Sequence, residues 1–367
     1  MIKIGEAFSA SYAQARSKFF HAAVGAHLSI TSHLHPRAGR DDETLAMDVV
    51  LDGSPSAERL LIVSSACHGV EGYCGSGVQV AALQDEAWRT KAHEQGVAVL
   101  YVHALNPYGF SHIRRTTHEN VDLNRNFHDF SQTLPVNEGY RALHSLLLPA
   151  QWPPDADNAA AIVSFIQTHG AGAFQSTISR GQHEFSDGLF FGGTEPTWSN
   201  KTIRQVLRDR ARTARKVAWI DLHTGLGPCG VGERIFACRD DAAALVRARQ
   251  WWGGNGATPV TSIYDGSSTS AFLTGLMWGA LYEECPQAEY TGLALEYGTQ
   301  PFDQVTQALR AEHWLHKHPE APATLASQIK QQMKDAFYVD TEVWKEQVVN
   351  QARECFFQAV DGLSSDA

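Results

Sequence analysis

Four short runs of uninterrupted apolar character constrain this chain most: Leu60 to Ser65 (LLIVSS), Val97 to His103 (VAVLYVH), Lys216 to Leu222 (KVAWIDL) and Gly292 to Tyr297 (GLALEY). A strand with one face in water alternates apolar and polar residues. Continuous apolarity marks a strand covered on both faces, as in a mainly parallel sheet between two helix layers. Helical patterns lie between the runs. One spans about Gly77 to Gln95 and stops at Gly96, and another starts at Ser199, a good N-cap, and reaches about Ala214. The expected fold is α/β, a three-layer α/β/α sandwich around a mainly parallel, mixed and twisted sheet. The proline-rich joint Gln151-Trp152-Pro153-Pro154-Asp155 reads as a loop, because similar composition continues on both sides. A single domain over residues 1–367 is therefore expected, with its chemistry between about 60 and 300 and a helical region from about 301 to 367.

Each run ends in polar and glycine residues: His68-Gly69-Val70-Glu71-Gly72, Asn106-Pro107-Tyr108-Gly109, His223-Thr224-Gly225 and Glu296-Tyr297-Gly298. Ligands of open α/β sheets sit outside the carboxyl ends of the strands, so these four distant loops are expected to meet at one site. His68 and Glu71 form an H-x-x-E pair, and His223 stands at the mouth of another strand. Two imidazoles and a carboxylate suit a borderline-soft divalent ion, and three protein ligands leave a fourth tetrahedral position for water. The motif alone is weak, since a core histidine bonded to backbone would look the same. Gly69 and Gly72 favour a close backbone turn there.

The formal net charge of −10 argues against a general nucleic-acid or anionic-membrane binder. Seventeen histidines invite a metal reading, because imidazole is both ligand and proton carrier. The six cysteines form no C-x-x-C pair and fit free thiols in a reducing compartment. The N-terminus, Met1-Ile2-Lys3-Ile4-Gly5-Glu6, lacks a basic stretch followed by an apolar run, and no window has membrane-span length. A cytoplasmic protein without membrane or nucleic-acid partners is expected; the oligomeric state is open.

The stretch Arg114 to Phe127 (RRTTHENVDLNRNF) follows the second run. With His68, Glu71, His223 and Glu296, it resembles the zinc carboxypeptidase superfamily, whose pattern is H-x-x-E, a D-x-N-R segment, a distant third histidine and a glutamate on a late strand. The blocks SSACHGVEGYCGSG, NPYGFSHIRRTTHENVDLNRNF, GQHEFSDGLFFGGTEPTWSN, DLHTGLGP and LALEYGT together resemble a bacterial branch of it, the domain-of-unknown-function family 2817. The resemblance implies one Zn²⁺ held by His68, Glu71 and His223. Glu296 matches the general base that takes a proton from the attacking water and delivers it to the leaving amine. Asn124 and Arg125 match the pair that grips a substrate carboxylate, a task suited to the guanidinium fork. Asp122 resembles the carboxylate that orients a zinc histidine, His68. Asp221, two residues before His223, shares its face of a strand without necessarily touching it.

Relatives carry an oxyanion-stabilising arginine shortly before D-x-N-R. Arg115 is the choice here, with Arg114 as the alternative and His118 at the strictly spaced position. Tyr264 resembles the capping tyrosine of the peptidases, or is a turn tyrosine. The glycine-rich segment 181–193 reads as a loop over the site or as structural. A specificity wall is expected between Tyr264 and Glu296, where Leu281, Glu283 and Glu284 point to opposite preferences. His313 and His316, the isolated His103 and the basic run Lys201 to Lys216 are taken as solvated faces, and Cys67 and Cys74 as packing residues.

The resemblance implies a zinc hydrolase that cleaves an amide or peptide bond beside a free carboxylate, carboxypeptidase-like, with a small peptide as substrate. The alternative is an N-acyl-amino-acid deacylase resembling succinylglutamate desuccinylase and aspartoacylase, acting on an N-acyl amino acid. A metal-dependent binding protein without turnover is the non-enzymatic reading, disfavoured by the presence of Glu296.

Overall fold

The computed structural model describes residues 3–254 and 258–365; Met1, Ile2 and the last two residues of the expected domain lie outside the described residues. Eight strands occur among them: β1 Ile30–Ala38, β2 Thr44–Asp52, β3 Arg59–Ser65, β4 Val97–His103, β5 Lys216–Cys229, β6 Gly232–Phe236, β7 Val260–Ser262 and β8 Glu289–Gly298. They form one mixed sheet in the order β1-β2-β4-β3-β5-β8-β6-β7. The four apolar runs are its centre, β4, β3, β5 and β8, and these pair in parallel. The strands that lack such a run lie outside them. β1 is an edge strand whose residues are mostly half-buried or exposed, and β6 joins β8 antiparallel. Half-exposed β1 and the short β6 and β7 carry little continuous apolarity, whereas the buried β2 is interrupted by Asp48, which pairs with Arg16 at 2.7 Å.

Register fixes the two faces. Thr31, Val49, Val102, Ser64 and Asp221 are successive partners across the sheet and share one face. Arg210, in the helix Trp198–Arg210, donates to the Thr31 hydroxyl at 3.1 Å, so that helix covers this face. On the opposite face, a Cβ built on Gly75 would meet the Ser65 and Leu222 Cβ atoms at 2.6 and 3.4 Å, so the helix Gly72–Gln84 lies against it. The protein is thus an α/β/α sandwich. The three closing helices are Phe302–Lys317, Ala323–Phe337 and Glu342–Ser364.

Two helix boundaries differ from expectation. The segment read as one helix is two, Gly72–Gln84 and Glu86–Glu94, because the Asp85 carboxylate caps the second by accepting from Trp88 N–H at 3.1 Å. The helix expected from Ser199 begins at Trp198, and Thr197 is its cap, accepting from Asn200 N–H at 3.2 Å. No helix among the described residues is long and apolar enough to cross a membrane.

Candidate active site

Parallel pairing brings the carboxyl ends of β3, β5 and β8 to one edge, and the register sets His223 directly beside Glu296. After β3 the chain turns through His68 into a single 3-10 turn, Gly69–Glu71, that opens the helix Gly72–Gln84. That turn is possible because of glycine. A Cβ on Gly69 would stand 2.1 Å from the Gly109 carbonyl carbon, and one on Gly72 2.5 Å from the Phe110 ring. The loop after β4 thereby presses against the loop after β3.

The result is a convergence of three buried side chains. His68 Nδ1 lies 2.8 Å from Glu71 Oε1, and His223 Nδ1 lies 2.9 Å from Glu71 Oε2. His68, Glu71 and His223 offer donor atoms all within 4.8 Å of one another, a group able to hold a metal ion. The outer nitrogens are held by carboxylates: His68 Nε2 lies 3.2 Å from Asp122 Oδ1, and His223 Nε2 lies 2.5 Å from Asp221 Oδ2. This is how metal-binding imidazoles are oriented, with one nitrogen free for the ion. Asp221 is itself fixed by the Ser64 hydroxyl at 2.5 Å, which accepts from Trp219 Nε1–H at 2.7 Å. Cys67, Asp221 and His223 form a second close group. Burial and the surrounding carboxylates push the Cys67 thiol well above its usual range, which disfavours the thiolate that ligation needs.

Electrostatics separate the two glutamates. Burial opposes ionisation of Glu71, but the two imidazoles outweigh it and hold the carboxyl at about 2. Burial together with the charge of Glu71 pushes Glu296 up to about 8. Glu296 Oε1 accepts from Leu226 N–H at 3.0 Å, which fixes it beside the centre. Burial alone would lower His223; Asp221 and Glu71 reverse this and hold it well above its ordinary value.

The structure separates the arginines. Arg115 reaches the centre: its Nη2 is 2.7 Å from His68 Nε2, its Nε–H donates to Asp122 at 2.9 Å, and its guanidinium stands over the Phe190 ring at 5.1 Å. Arg114 turns away to pair with Glu312 at 2.9 Å in the helix Phe302–Lys317. His118 is also outside the site, 3.0 Å from the Glu119 carboxylate.

Asn124 and Arg125 line the same cavity as the metal group. The Asn124 carbonyl accepts from Met277 N–H at 3.0 Å, leaving its amide nitrogen free to donate. Arg125 uses three of its five N–H groups on backbone carbonyls: Nε–H and Nη2–H on Ser179, and Nη1–H on Asn124 at 2.7 Å. Burial lowers its pKa to about 10, so it remains charged at neutral pH.

Several expectations are corrected. Tyr264 does not line the cavity; its hydroxyl donates to the Cys238 carbonyl at 2.5 Å and its ring packs against Phe272. The expected specificity residues are elsewhere, since Leu281 is fully buried in the core and Glu283 and Glu284 pair with Arg204. His313 is buried and lies 2.9 Å from the Asp187 carbonyl, and His103 is buried against the Ser76 hydroxyl. The 181–193 segment forms wall through Phe190. Phe302, Val305, Leu309 and Phe337 also line the cavity, and no local spacing marks them, because the closing helices reach the site only through tertiary packing.

The family described as "Protein of unknown function (DUF2817)" matches residues 8–351. The chain belongs to this family. Among solved structures, this DUF2817 chain is similar to thrombin activatable fibrinolysis inhibitor, with a TM-score of 0.55 and 12% identity over 97% of this chain and 75% of that one. The bovine form of that inhibitor, in complex with tick carboxypeptidase inhibitor, matches with a TM-score of 0.52 and 11% identity, covering 97% of each chain. A carboxypeptidase A from Helicoverpa armigera matches at 10% identity over 89% of this chain and 73% of that one, with a TM-score of 0.46. The likeness to the two forms of the inhibitor establishes the fold. No curated protein matches the chain.

Proposed function

We propose that this DUF2817 protein is a zinc-dependent hydrolase of an amide or peptide bond adjacent to a free carboxylate. The reading rests on one observation: two carboxylate-backed imidazoles and Glu71 converge, with Glu296 and Arg115 beside them and Asn124 and Arg125 lining the same cavity. The donor set, two nitrogens and one carboxylate, fits Zn²⁺ in its catalytic form, with a coordination position left open. When bound, the ion would polarise the scissile carbonyl and acidify water.

The chain's own groups supply the rest. Asn124 Nδ2–H and the two uncommitted N–H groups of Arg125 grip the substrate carboxylate and set the scissile bond at the centre. Glu296 takes a proton from the attacking water and passes it to the departing nitrogen, a role supported by its place beside His223 in the sheet register. The Arg115 guanidinium stabilises negative charge developing on the carbonyl oxygen. The whole chain is taken as one catalytic domain, acting on small peptides or N-acyl amino acids.

The test is hydrolysis by zinc-loaded protein of peptides and N-acyl amino acids with a free carboxylate, against the same compounds with that carboxylate amidated. Turnover is expected only for the free acids, and only with metal. Metal-independent hydrolysis, or full activity in Glu296→Gln, would overturn the assignment.

A further inference from the structure

We infer that Trp278 is a third carboxylate-gripping residue, whose indole N–H donates to the substrate carboxylate beside Asn124 and Arg125. The inference rests on the hydrolase reading above and adds to that site a residue its motifs do not contain.

Trp278 lines the cavity that holds the metal group and is only 2% exposed. An indole nitrogen carries one hydrogen and can only donate it. In the free protein that hydrogen has no acceptor, because Nε1 is buried without a hydrogen-bond partner. Several buried polar atoms among the described residues lack partners, but of the residues that carry them only Trp278 lines the cavity. An unpaired buried donor is unfavourable and uncommon in folded proteins. A partner that arrives with the substrate accounts for this one.

The neighbouring polar side chains behave differently. The hydroxyls of Thr224, Ser179 and Ser270 donate to the carbonyls of Phe337, Gln175 and Ala271 at 2.7, 2.7 and 3.3 Å, and Gln175 Nε2–H donates to the Thr269 carbonyl at 3.2 Å. Those bonds tie the wall together. Trp278 keeps its donor unspent, as Asn124 keeps its amide nitrogen.

Position selects the acceptor. Trp278 directly follows Met277, whose N–H is held by the Asn124 side-chain carbonyl at 3.0 Å, and its ring centroid lies 5.9 Å from that of His223. It therefore adjoins both the carboxylate grip and a metal ligand. The substrate segment joining those two points runs from the carboxylate to the scissile bond. Within it the amide nitrogen is a donor and the scissile carbonyl oxygen is met by Arg115, so the carboxylate oxygens are the acceptors left for an N–H. A carboxylate has about four lone-pair sites. The two uncommitted N–H groups of Arg125 and Asn124 Nδ2–H fill three, and Trp278 Nε1–H fills the fourth. A bond made alike in the bound substrate and the transition state acts on KM and leaves kcat unchanged.

The experiment has one arm that needs no turnover. Zinc-loaded protein with isotope-labelled tryptophans is titrated with N-acetyl-leucine, N-acetyl-glutamate and N-acetyl-lysine, and with the three corresponding carboxamides, while the indole N–H resonances are followed by NMR. Of the nine tryptophans only Trp278 lines the cavity, so one indole proton should move downfield, the direction of hydrogen-bond formation, with a free acid and with none of the amides. In the second arm, Trp278→Phe keeps an aromatic ring against His223 and removes the N–H. KM for free-acid substrates should rise about 10- to 100-fold, with kcat nearly unchanged, a split that a merely structural role would not produce. If the variant does not fold, the wild-type titration decides. Absence of the downfield shift with every acid, or an unchanged KM in the folded variant, alongside metal-dependent turnover of free acids, overturns this inference and leaves the hydrolase reading standing. The shift without turnover of any free acid keeps the carboxylate contact and overturns the hydrolase reading. Neither shift nor turnover overturns both.

Discussion

Asp221 Oδ2 lies 2.5 Å from His223 Nε2, while His223 Nδ1 faces Glu71 at 2.9 Å. One imidazole is thus gripped on the sheet side and presented on the other. Asp122 does the same for His68 from a separate loop, at 3.2 Å. Both Asp221→Asn and Asp122→Asn should lower Zn²⁺ affinity about 10–100-fold, measured by competition with a chromophoric chelator. Unchanged affinity in both would mean that these carboxylates do not orient ligands.

Arg114 and Arg115 are adjacent in sequence and opposite in consequence. Arg115→Ala should lower kcat about 100- to 1000-fold, and because it takes the 2.9 Å partner from the buried Asp122 it should also lower the melting temperature. Arg114 is buried with Glu312, so Glu312→Ala leaves a buried guanidinium unpaired and should cost about 3–5 kcal/mol of stability. Urea denaturation and single-turnover kinetics on the two variants separate these outcomes.

The same buried pair sets an acid limit. Burial opposes ionisation of Glu312, but Arg114 and Lys330 hold it at about 2, against 4.5 in a free side chain. A lowered pKa contributes stability that is fully present above about 4.5 and lost as pH falls through about 2. Denaturation midpoints of wild type should therefore fall toward those of Glu312→Gln over this range, where an unchanged gap would refute the coupling.

Glu296 behaves in the opposite sense in metal-free protein. Its folded pKa of about 8 exceeds the free value of 4.5, so its contribution is fully present below about 4.5 and lost as pH rises through about 8. Glu296→Gln should gain stability relative to wild type between pH 5 and pH 9 with a chelator present, by on the order of a few kcal/mol. Bound Zn²⁺ favours the carboxylate and should shrink the difference. Parallel stability curves for the two proteins would contradict this.

Gly69→Ala puts a methyl 2.1 Å from the Gly109 backbone. Because backbone on both sides must move, the variant should lose both stability and metal affinity, read together by thermal melting with and without Zn²⁺.

Local chemistry made the centre of this protein legible. Continuous apolarity in β3, β4, β5 and β8 identifies strands buried on both faces, and the groups His68, Glu71, His223 and Glu296 stand where such strands end. Those properties depend on neighbours a few residues away, so they can be read along a line. The edge strand β1 could not, because a half-exposed strand lacks the apolar signal, and neither could the division of one helical segment into two where Asp85 caps the second.

Local composition and spacing identify the residues with the right chemistry: the imidazoles, the two glutamates, the D-x-N-R segment and an arginine pair. Tertiary structure alone decided which of them meet. It sent Arg115 to His68 and Arg114 to Glu312, tied the Tyr264 hydroxyl to Cys238, and brought Leu309 and Phe337 from distant helices to wall the cavity. The physical reason is that these outcomes depend on contacts between segments far apart in the chain, and packing and charge pairing select among side chains that local spacing leaves equivalent.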